Sequence, residues 1–377
     1  MNFFNNIYPI MWKEFLQIRR DPRTLAVLFL VPTLLMLFVG FAVNFDVTHI
    51  KLAVLDDDQT EQSRELISSF TNSDYFDYSY SVHNQQEIDN LLDDGKVAAA
   101  VIIPRKFSDH IVKGDASTVQ VIVDGSNSST ASSVVGYTTG AITSFSANLR
   151  TEALQRVNKT LNIPIDFRPR VWYNPDLSTI KFQIPGLIGY MLILTCVVST
   201  TMSIVREKER GTMEQLVVSQ VTPFELISGK LLPYLIISLL LTVILLSISF
   251  FVFGVAIKGS FIYLISTILL YLVCALSLGL WVSTISNSQQ VAFQIATLVS
   301  TLPSNILSGF IFPIRSMPIP VQIATNFTPA KFFIHAIRAI MLKGVGIQSF
   351  WDDWLAMIIF ASAMIFISVR RLKKQKL

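Results

Sequence analysis

Charge is what this 377-residue chain has little of: 15% of its residues are Asp, Glu, Lys or Arg, against 51% hydrophobic. A soluble globular domain carries about 25% charged residues, so an ordinary water-soluble fold is excluded. The scarcity is concentrated. Residues 182–205 and 231–257 contain no Asp, Glu, Lys or Arg, and 259–314 runs for 56 residues without one. As α-helix that last run would extend roughly 84 Å, against a hydrocarbon core of about 30 Å, so it must fold back at least once. The chain is polytopic in a membrane. Cysteine is also scarce: Cys196 and Cys274 both fall in apolar runs, which leaves no disulfide framework and no CxxC metal site. The four histidines, His49, His83, His110 and His335, lack ligand spacing, so no metal site is expected. No glycine-lysine phosphate loop of the P-loop type occurs, nor any zinc-protease, serine-hydrolase or zinc-deaminase pattern. The chain is therefore expected to have no catalytic residue, to bind no cofactor itself and to take no nucleic acid.

What is present is a dense charged island between two of the apolar runs, Arg206-Glu207-Lys208-Glu209-Arg210-Gly211, followed by Thr212-Met213-Glu214-Gln215-Leu216. Gly211 can release the incoming helix, and Thr212 with Gln215 has the spacing of a capping box. Thr222-Pro223-Phe224-Glu225 repeats the signal, with Pro at the first helical position. The spacing predicts a separate short helix over 213–219, inside a loop spanning 206–225. Glu and Arg around such a helix give a partner oriented charges, while Met213 and Leu216 supply an apolar anchor. A loop that only sets topology would explain the charges but not two successive caps.

Taken in order, residues 1–23 read as an amphipathic helix at the cytoplasmic interface. Ile7, Met11, Phe15 and Ile18 lie on one face, and Lys13, Gln17 and Arg20 on another. The first span is 24–45; Arg19, Arg20 and Arg23 just before it put the N-terminus in the cytoplasm. Residues 46–181 have the composition of a soluble domain on the outside. Strands at 50–55, 78–82, 97–103 and 119–123 alternate with helices at 59–70, 85–93 and 105–113. A long helical stripe begins near Ser128, a further strand fits 168–173, and the alternation argues an α/β layer structure. Asp56-Asp57-Asp58 lacks EF-hand spacing and reads as turn and cap chemistry. Spans follow at 182–205, 226–257, 261–285, 291–313 and 351–369, with an extracytoplasmic re-entrant segment over 314–350 and a basic cytoplasmic tail over 370–377. The fold class is thus an α-helical polytopic membrane protein of six transmembrane helices with an inserted extracytoplasmic α/β domain, both termini cytoplasmic. The spans read as free of fixed charge, which gives no support to a proton relay. Gly186, Gly189 and Gly279 offer close-packing surfaces for a second copy.

The succession of parts resembles the ABC-2 class of ATP-binding-cassette transporter permeases. REKERGTMEQL (206–216) with VTPFE and LISGKLLPY after it carries the likeness, as do Leu302-Pro303, LSGFIFP (307–313), Met317-Pro318, Pro329 and Arg338. Segments 97–107 and 121–127 are similar to the large external domain of the drug-exporter branch. The resemblance covers essentially the whole chain and implies a half-transporter in the cell inner membrane. It would pair with a second permease chain, identical or different, and bind soluble ATP-binding subunits that bring ATP and Mg. The loop would be the coupling helix, with Arg206, Glu207, Glu209, Arg210, Gly211, Thr212, Met213, Glu214 and Leu216 at the partner. Pro303, Ser308, Gly309 and Pro313 are the candidate transport-path residues; the plainer alternative for them is a kink. The expected cargo is a hydrophobic or amphipathic small molecule leaving the cytoplasm or inner leaflet, because the spans offer apolar walls. Three rivals stand beside this reading: a membrane receptor or scaffold with an external ligand-binding domain, export of a lipid or other substrate by the same machinery, and a membrane-embedded enzyme acting on lipid, which lacks the intramembrane acid, base or nucleophile cluster it would need. The external domain leaves open substrate binding, a periplasmic adaptor or a cap on the exit.

The topology is directly testable. In a background without the two natural cysteines, a cysteine placed at 94 should react with a membrane-impermeant reagent in intact cells. One placed at 375 should react only after permeabilisation; the opposite pattern would overturn the orientation.

Overall fold

The computed structural model describes residues 3–42, 49–73, 75–113, 115–126, 128–156, 173, 179–211 and 222–375. The chain forms two compact units, one of residues 1–44 with 171–377 and one of 45–170. It begins with helix α1 (Phe3–Arg20) and helix α2 (Pro22–Ala42). Asp21 separates them and caps the second: its carboxylate accepts from the Thr24 amide at 3.2 Å and the Thr24 hydroxyl at 2.6 Å.

The 45–170 unit contains β1 (Ile50–Asp56), α3 (Glu61–Thr71), β2 (Phe76–Ser81), α4 (Gln85–Asp93), β3 (Ala99–Ile103), α5 (Phe107–Lys113), β4 (Gln120–Val123) and α6 (Ser128–Arg156). The strand order is β2-β1-β3-β4; β1 runs parallel to both neighbours and β4 antiparallel to β3. Central β1 and β3 are apolar on both faces, as strands covered on both sides must be. Leu52, Val54, Val101 and Ile103 pack with Leu66, Phe70, Val134 and Phe145, while Ala53, Leu55 and Ala100 pack with Ile88 on the other face. The aspartate run does turn work. Asp56 accepts from the Asp58 and Gln59 amides at 3.0 Å, and Asp58 accepts from the Thr60 hydroxyl at 2.6 Å and the Ser108 amide at 3.1 Å. Those hydrogen bonds overcome burial and hold the Asp58 carboxyl below its usual range. The strand expected over 168–173 falls outside the described residues except for Tyr173.

In the other unit the chain resumes as α7 (Thr179–Glu209), α8 (Pro223–Phe251), α9 (Phe261–Ile285) and α10 (Gln289–Leu302). A π-helical turn (Pro303–Leu307), α11 (Ile319–Thr325), α12 (Pro329–Arg338) and α13 (Trp351–Gln375) complete it. Among the described residues five helices are long and apolar enough to cross a membrane: Thr24–Ala42, Thr179–Glu209, Phe224–Phe251, Phe261–Ile285 and Trp351–Arg371. The unit is built around α7. Two thirds of its apolar window (67%) is buried within the protein, against 22% for the first and last of these helices. Tyr271 of α9 stacks on Phe333 of α12 at 3.9 Å and donates to the Gly189 carbonyl of α7 at 2.9 Å. Thr201 of α7 donates to the Gly279 carbonyl of α9 at 2.9 Å.

Four expectations are corrected here. The helix expected to stop at 205 continues to Glu209, so Arg206 to Glu209 form its last turn and not a loop. The stretch expected as one helix over 291–313 is α-helical only to Leu302. Pro303 has no amide for the Val299 carbonyl, the ladder loosens into the π turn, and Gly309 at φ +79° ends it. The spans as bounded also carry three charges, Lys230, Asp352 and Asp353, and Lys230 is 3% exposed. Finally, the three glycines are filled from inside the chain. A Cβ at Gly186 would meet the Phe310 ring at 2.5 Å, one at Gly189 the Phe333 ring at 2.8 Å, and one at Gly279 the Val197 carbonyl oxygen at 2.9 Å. Close packing of α7 used these sites, so none is left for a second copy.

At the start of α13, buried Asp353 receives His335 of α12, with Nδ1 to Oδ2 at 2.6 Å. That hydrogen bond, opposed by partial burial and aided by the Asp353 charge, raises the His335 pKa; Lys343 lowers it and Asp352 raises it by smaller amounts. With the folded value above the unfolded value of about 6.5, the pair stabilises fully below about pH 6.5. Its contribution fades as pH rises through the raised value. Thermal melts in detergent should show His335→Gln less stable than the parent at low pH, with the gap closing in alkaline buffer. A gap that widens with pH would contradict the pairing.

Candidate functional site

The last turn of α7 points its charges in different directions, because successive residues on a helix are rotated by about 100°. Glu207 points inward. It is 5% exposed, and its carboxylate pairs with Lys13 of α1 and Lys230 of α8. Lys230 sits two turns into α8 and also approaches Glu14 of α1 at 3.5 Å. The second oxygen of Glu14 accepts from the Ser203 hydroxyl at 3.1 Å. Glu14, at 2% exposed, and Lys230 leave water only because each meets opposite charge; an unpaired ion there would cost several kcal/mol. Two cations and two anions thus close a neutral node joining three helices. Glu207, expected to contact a partner, is a correction: it is spent inside the chain.

The other charges of this turn reach the connection between α9 and α10. Lys208 donates to the Ser286 carbonyl at 3.1 Å and to Asn287 at 3.0 Å. Glu209 accepts from the Gln289 side chain at 2.6 Å, and Arg206 donates to Gln289 at 3.4 Å while lying 3.9 Å from Asp21. Cations in the last turn also suit the negative end of the helix. Gly211, at φ +70°, turns the chain, and its amide returns to the Lys208 carbonyl at 3.3 Å. Arg210 and Gly211 are exposed. On the far side of the loop, Thr222 and Glu225 form the full capping box at the start of α8, with Thr222 hydroxyl to Glu225 Oε2 at 2.8 Å. Thr212, Met213, Glu214 and Leu216, with the short helix expected over 213–219, lie outside the described residues.

Pro303, Ser308, Gly309 and Pro313 follow one another along the bend at the other end of α10. The Ser308 hydroxyl donates to the Ser304 carbonyl and accepts from the Phe310 amide at 3.2 Å. Arg338 of α12 pins this bend: it donates to the Gly309 carbonyl at 2.9 Å and the Phe182 carbonyl at 3.2 Å, with its guanidinium 3.7 Å from the Phe182 ring. A separate cavity of about 400 Å³ lies beside the buried node, between α1, α2, α7, α8 and α10. None of the four bend residues lines it. Sequence reasoning missed Glu14 and Lys230. The available signal was a single lysine in an otherwise apolar helix, since such a residue must find a partner.

Breaking the node should be costly and neutralising it cheap. Lys230→Met leaves two buried carboxylates short of a cation and should destabilise by about 3–5 kcal/mol, read as a large fall in melting temperature in detergent. The triple change Glu14→Gln, Glu207→Gln, Lys230→Met should recover most of that loss. Equal loss in both proteins would show that the charges do not act together.

Residues 22–370 match the family model described as ABC-2 family transporter protein. The chain is 32% identical over 365 residues to the probable multidrug ABC transporter permease YbhS of Escherichia coli strain K12, covering 97% of this chain and 95% of that protein. It is 29% identical over 360 residues to the probable multidrug ABC transporter permease YbhR of the same organism, covering 95% and 96%. A Dictyostelium discoideum protein, ABC transporter G family member 20, is 26% identical over 362 residues, covering 94% of this chain and 48% of its own length. The chain belongs to the ABC-2 family of transporter proteins, as a multi-pass membrane permease and not itself an enzyme.

Proposed function

We propose that this permease is the membrane-spanning half of an exporter. It moves a hydrophobic or amphipathic small molecule out of the cytoplasm or inner leaflet, using ATP hydrolysed on a separate nucleotide-binding subunit. The buried node of Lys13, Glu14, Glu207 and Lys230 carries the reading. It ties the interfacial α1, the central α7 and the start of α8 into one body directly below the exposed Arg210 and Gly211. A push on the 206–225 loop would therefore reach three helices at once, since packed elements with paired buried charges move together. The permease names of the bacterial relatives, both called multidrug, support the choice of cargo. In this reading Arg206, Glu209, Arg210 and Gly211 frame the docking site, while Thr212, Met213, Glu214 and Leu216 form its contact helix. Glu207 acts from within.

The sixth crossing is assigned to α10 with its π turn. Its 19 residues span roughly 28 Å, close to a hydrocarbon core of about 30 Å. Both termini then lie in the cytoplasm and the 45–170 unit outside. The bend at Pro303, Ser308, Gly309 and Pro313 closes the outer end of the path, and two permease chains complete the transporter in the inner membrane.

Reconstitution tests this. The permease, purified with a nucleotide-binding subunit, should expel a hydrophobic dye from vesicles only when ATP is hydrolysed, and native mass measurement should count two permease chains. Thr212→Pro removes a cap worth about 0.5–2 kcal/mol, and Glu214→Lys reverses a docking charge. Both should keep normal membrane abundance and lose stimulated ATPase activity and efflux. Full efflux in both variants would reduce the loop to a topology signal. Binding of external ligand without any flux would favour the receptor reading, and flux of lipid in place of dye would reassign the cargo.

A further inference from the structure

The cavity beside the node is not the bend at the outer end of α10, and it has a polarity of its own. It runs along α7 from Arg206 to Met191, fifteen residues or roughly 22 Å, so it passes the middle of a hydrocarbon core of about 30 Å. Its charged side chains, Asp21 and Arg206, lie at one end with Thr24; the other end is walled by Leu35 and Met191 and carries no charge, with the Thr195 hydroxyl as its nearest polar group. At about 400 Å³ it is near the small end of ligand pockets, which run from about 300 to 1,000 Å³. One drug-sized molecule or one aliphatic chain fits such a volume, whereas a two-chain lipid does not.

The hydrogen bonding at the polar end selects the head group. Asp21 is occupied with the start of α2, held by the Thr24 hydroxyl at 2.6 Å and the Thr24 amide at 3.2 Å. Arg206 is held loosely among the described residues, 3.4 Å from Gln289 and 3.9 Å from Asp21, both long for a guanidinium that presents five donors. Asp21, with one site on each oxygen taken by Thr24, cannot meet all five guanidinium donors, so an anionic head would take up the remainder in charge-assisted hydrogen bonds. Deeper in the wall, the Thr297 hydroxyl of α10 is buried and has no hydrogen-bond partner among the described residues.

We infer that this half-open cavity, lined by helices of one permease chain, binds a single-chain or drug-sized amphiphile with a carboxylate, sulfonate or phosphate head at Arg206 and its apolar body between α2, α7 and α10. This rests on the exporter reading for its physiological meaning, because the occupant is cargo drawn from the inner leaflet. The binding itself does not depend on ATP or on a partner.

The test is therefore binding without nucleotide, using the full chain in phosphatidylcholine nanodiscs and dansyl-labelled undecanoate as the probe. Fluorescence titration should show saturable binding above empty nanodiscs, and the trimethylammonium analogue of the same probe should bind at least tenfold more weakly. Arg206→Gln should weaken undecanoate binding about tenfold or more, and Arg206→Lys should restore part of it. Thr195→Trp, which fills the cavity from α7, should abolish binding of the probe; melting temperatures report whether each variant is folded. Equal affinity for the cationic analogue, or undiminished binding in folded Arg206→Gln or folded Thr195→Trp, would overturn the assignment. Displacement of the probe by excess phosphatidylglycerol would make the cavity a structural lipid site and overturn it as well. Intact binding with no ATP-driven efflux would instead count against the exporter reading alone.

Discussion

A charge can leave water inside a protein only if an opposite charge goes with it. That constraint organises the end of α7. Glu207 and Glu14 are buried at 5% and 2% exposure, Lys230 at 3%, and Lys13 completes the neutral set from the surface. The pairing dictates how α1 lies, because Lys13 and Glu14 must both face the junction of α7 and α8. It dictates the rotation of α8 as well, since Lys230 has to turn inward two turns after the Thr222–Glu225 cap. Replacing the set with apolar residues of similar volume would be neutral or stabilising by the usual balance of desolvation against attraction. What the set supplies is orientation, holding three helices in one register.

The opposite end of the same unit is held by different physics. There the backbone is irregular: a π turn after Pro303, a left-handed Gly309, then short helices to Lys343. Irregular backbone at membrane depth is tolerated only where its polar groups are satisfied by protein. Arg338 supplies that satisfaction for the Gly309 and Phe182 carbonyls, and Phe310 and Phe333 press into Gly186 and Gly189 of α7. One end of α7 is therefore set by ion pairs and the other by aromatic packing and a single arginine. The cavity lies nearer the ion-paired end and is bordered by α2, whose apolar window is only 22% buried within the protein.

Local chemistry was legible wherever a short segment decides its own conformation. The capping box at Thr222 and Glu225, the turn at Gly211 and the aspartate turns before α3 could all be read from a few consecutive residues. The strands of the 45–170 unit were visible as apolar runs bounded by turns. Pro303 was visible too, but only as a proline. Its consequence, a helix that loosens into a π turn and stops short of Pro313, depends on what the freed carbonyls meet, and that is a matter of neighbours.

The sequence by itself determined that the chain crosses a membrane several times, where its long apolar runs fall, and which residues start and stop several helices. It could do so because hydrophobic transfer and capping are properties of contiguous stretches. Tertiary structure alone decided which side of α7 each charge would take. Glu207 read as a surface contact and proved to be the centre of a buried node, because its partners stand 194 and 23 positions away at Lys13 and Lys230. The glycines of α7 and α9 read as free surfaces and proved to be already filled, by rings from segments more than a hundred residues away and by the Val197 carbonyl. Burial and pairing are set by which helices meet, and no local pattern in the chain specifies that meeting.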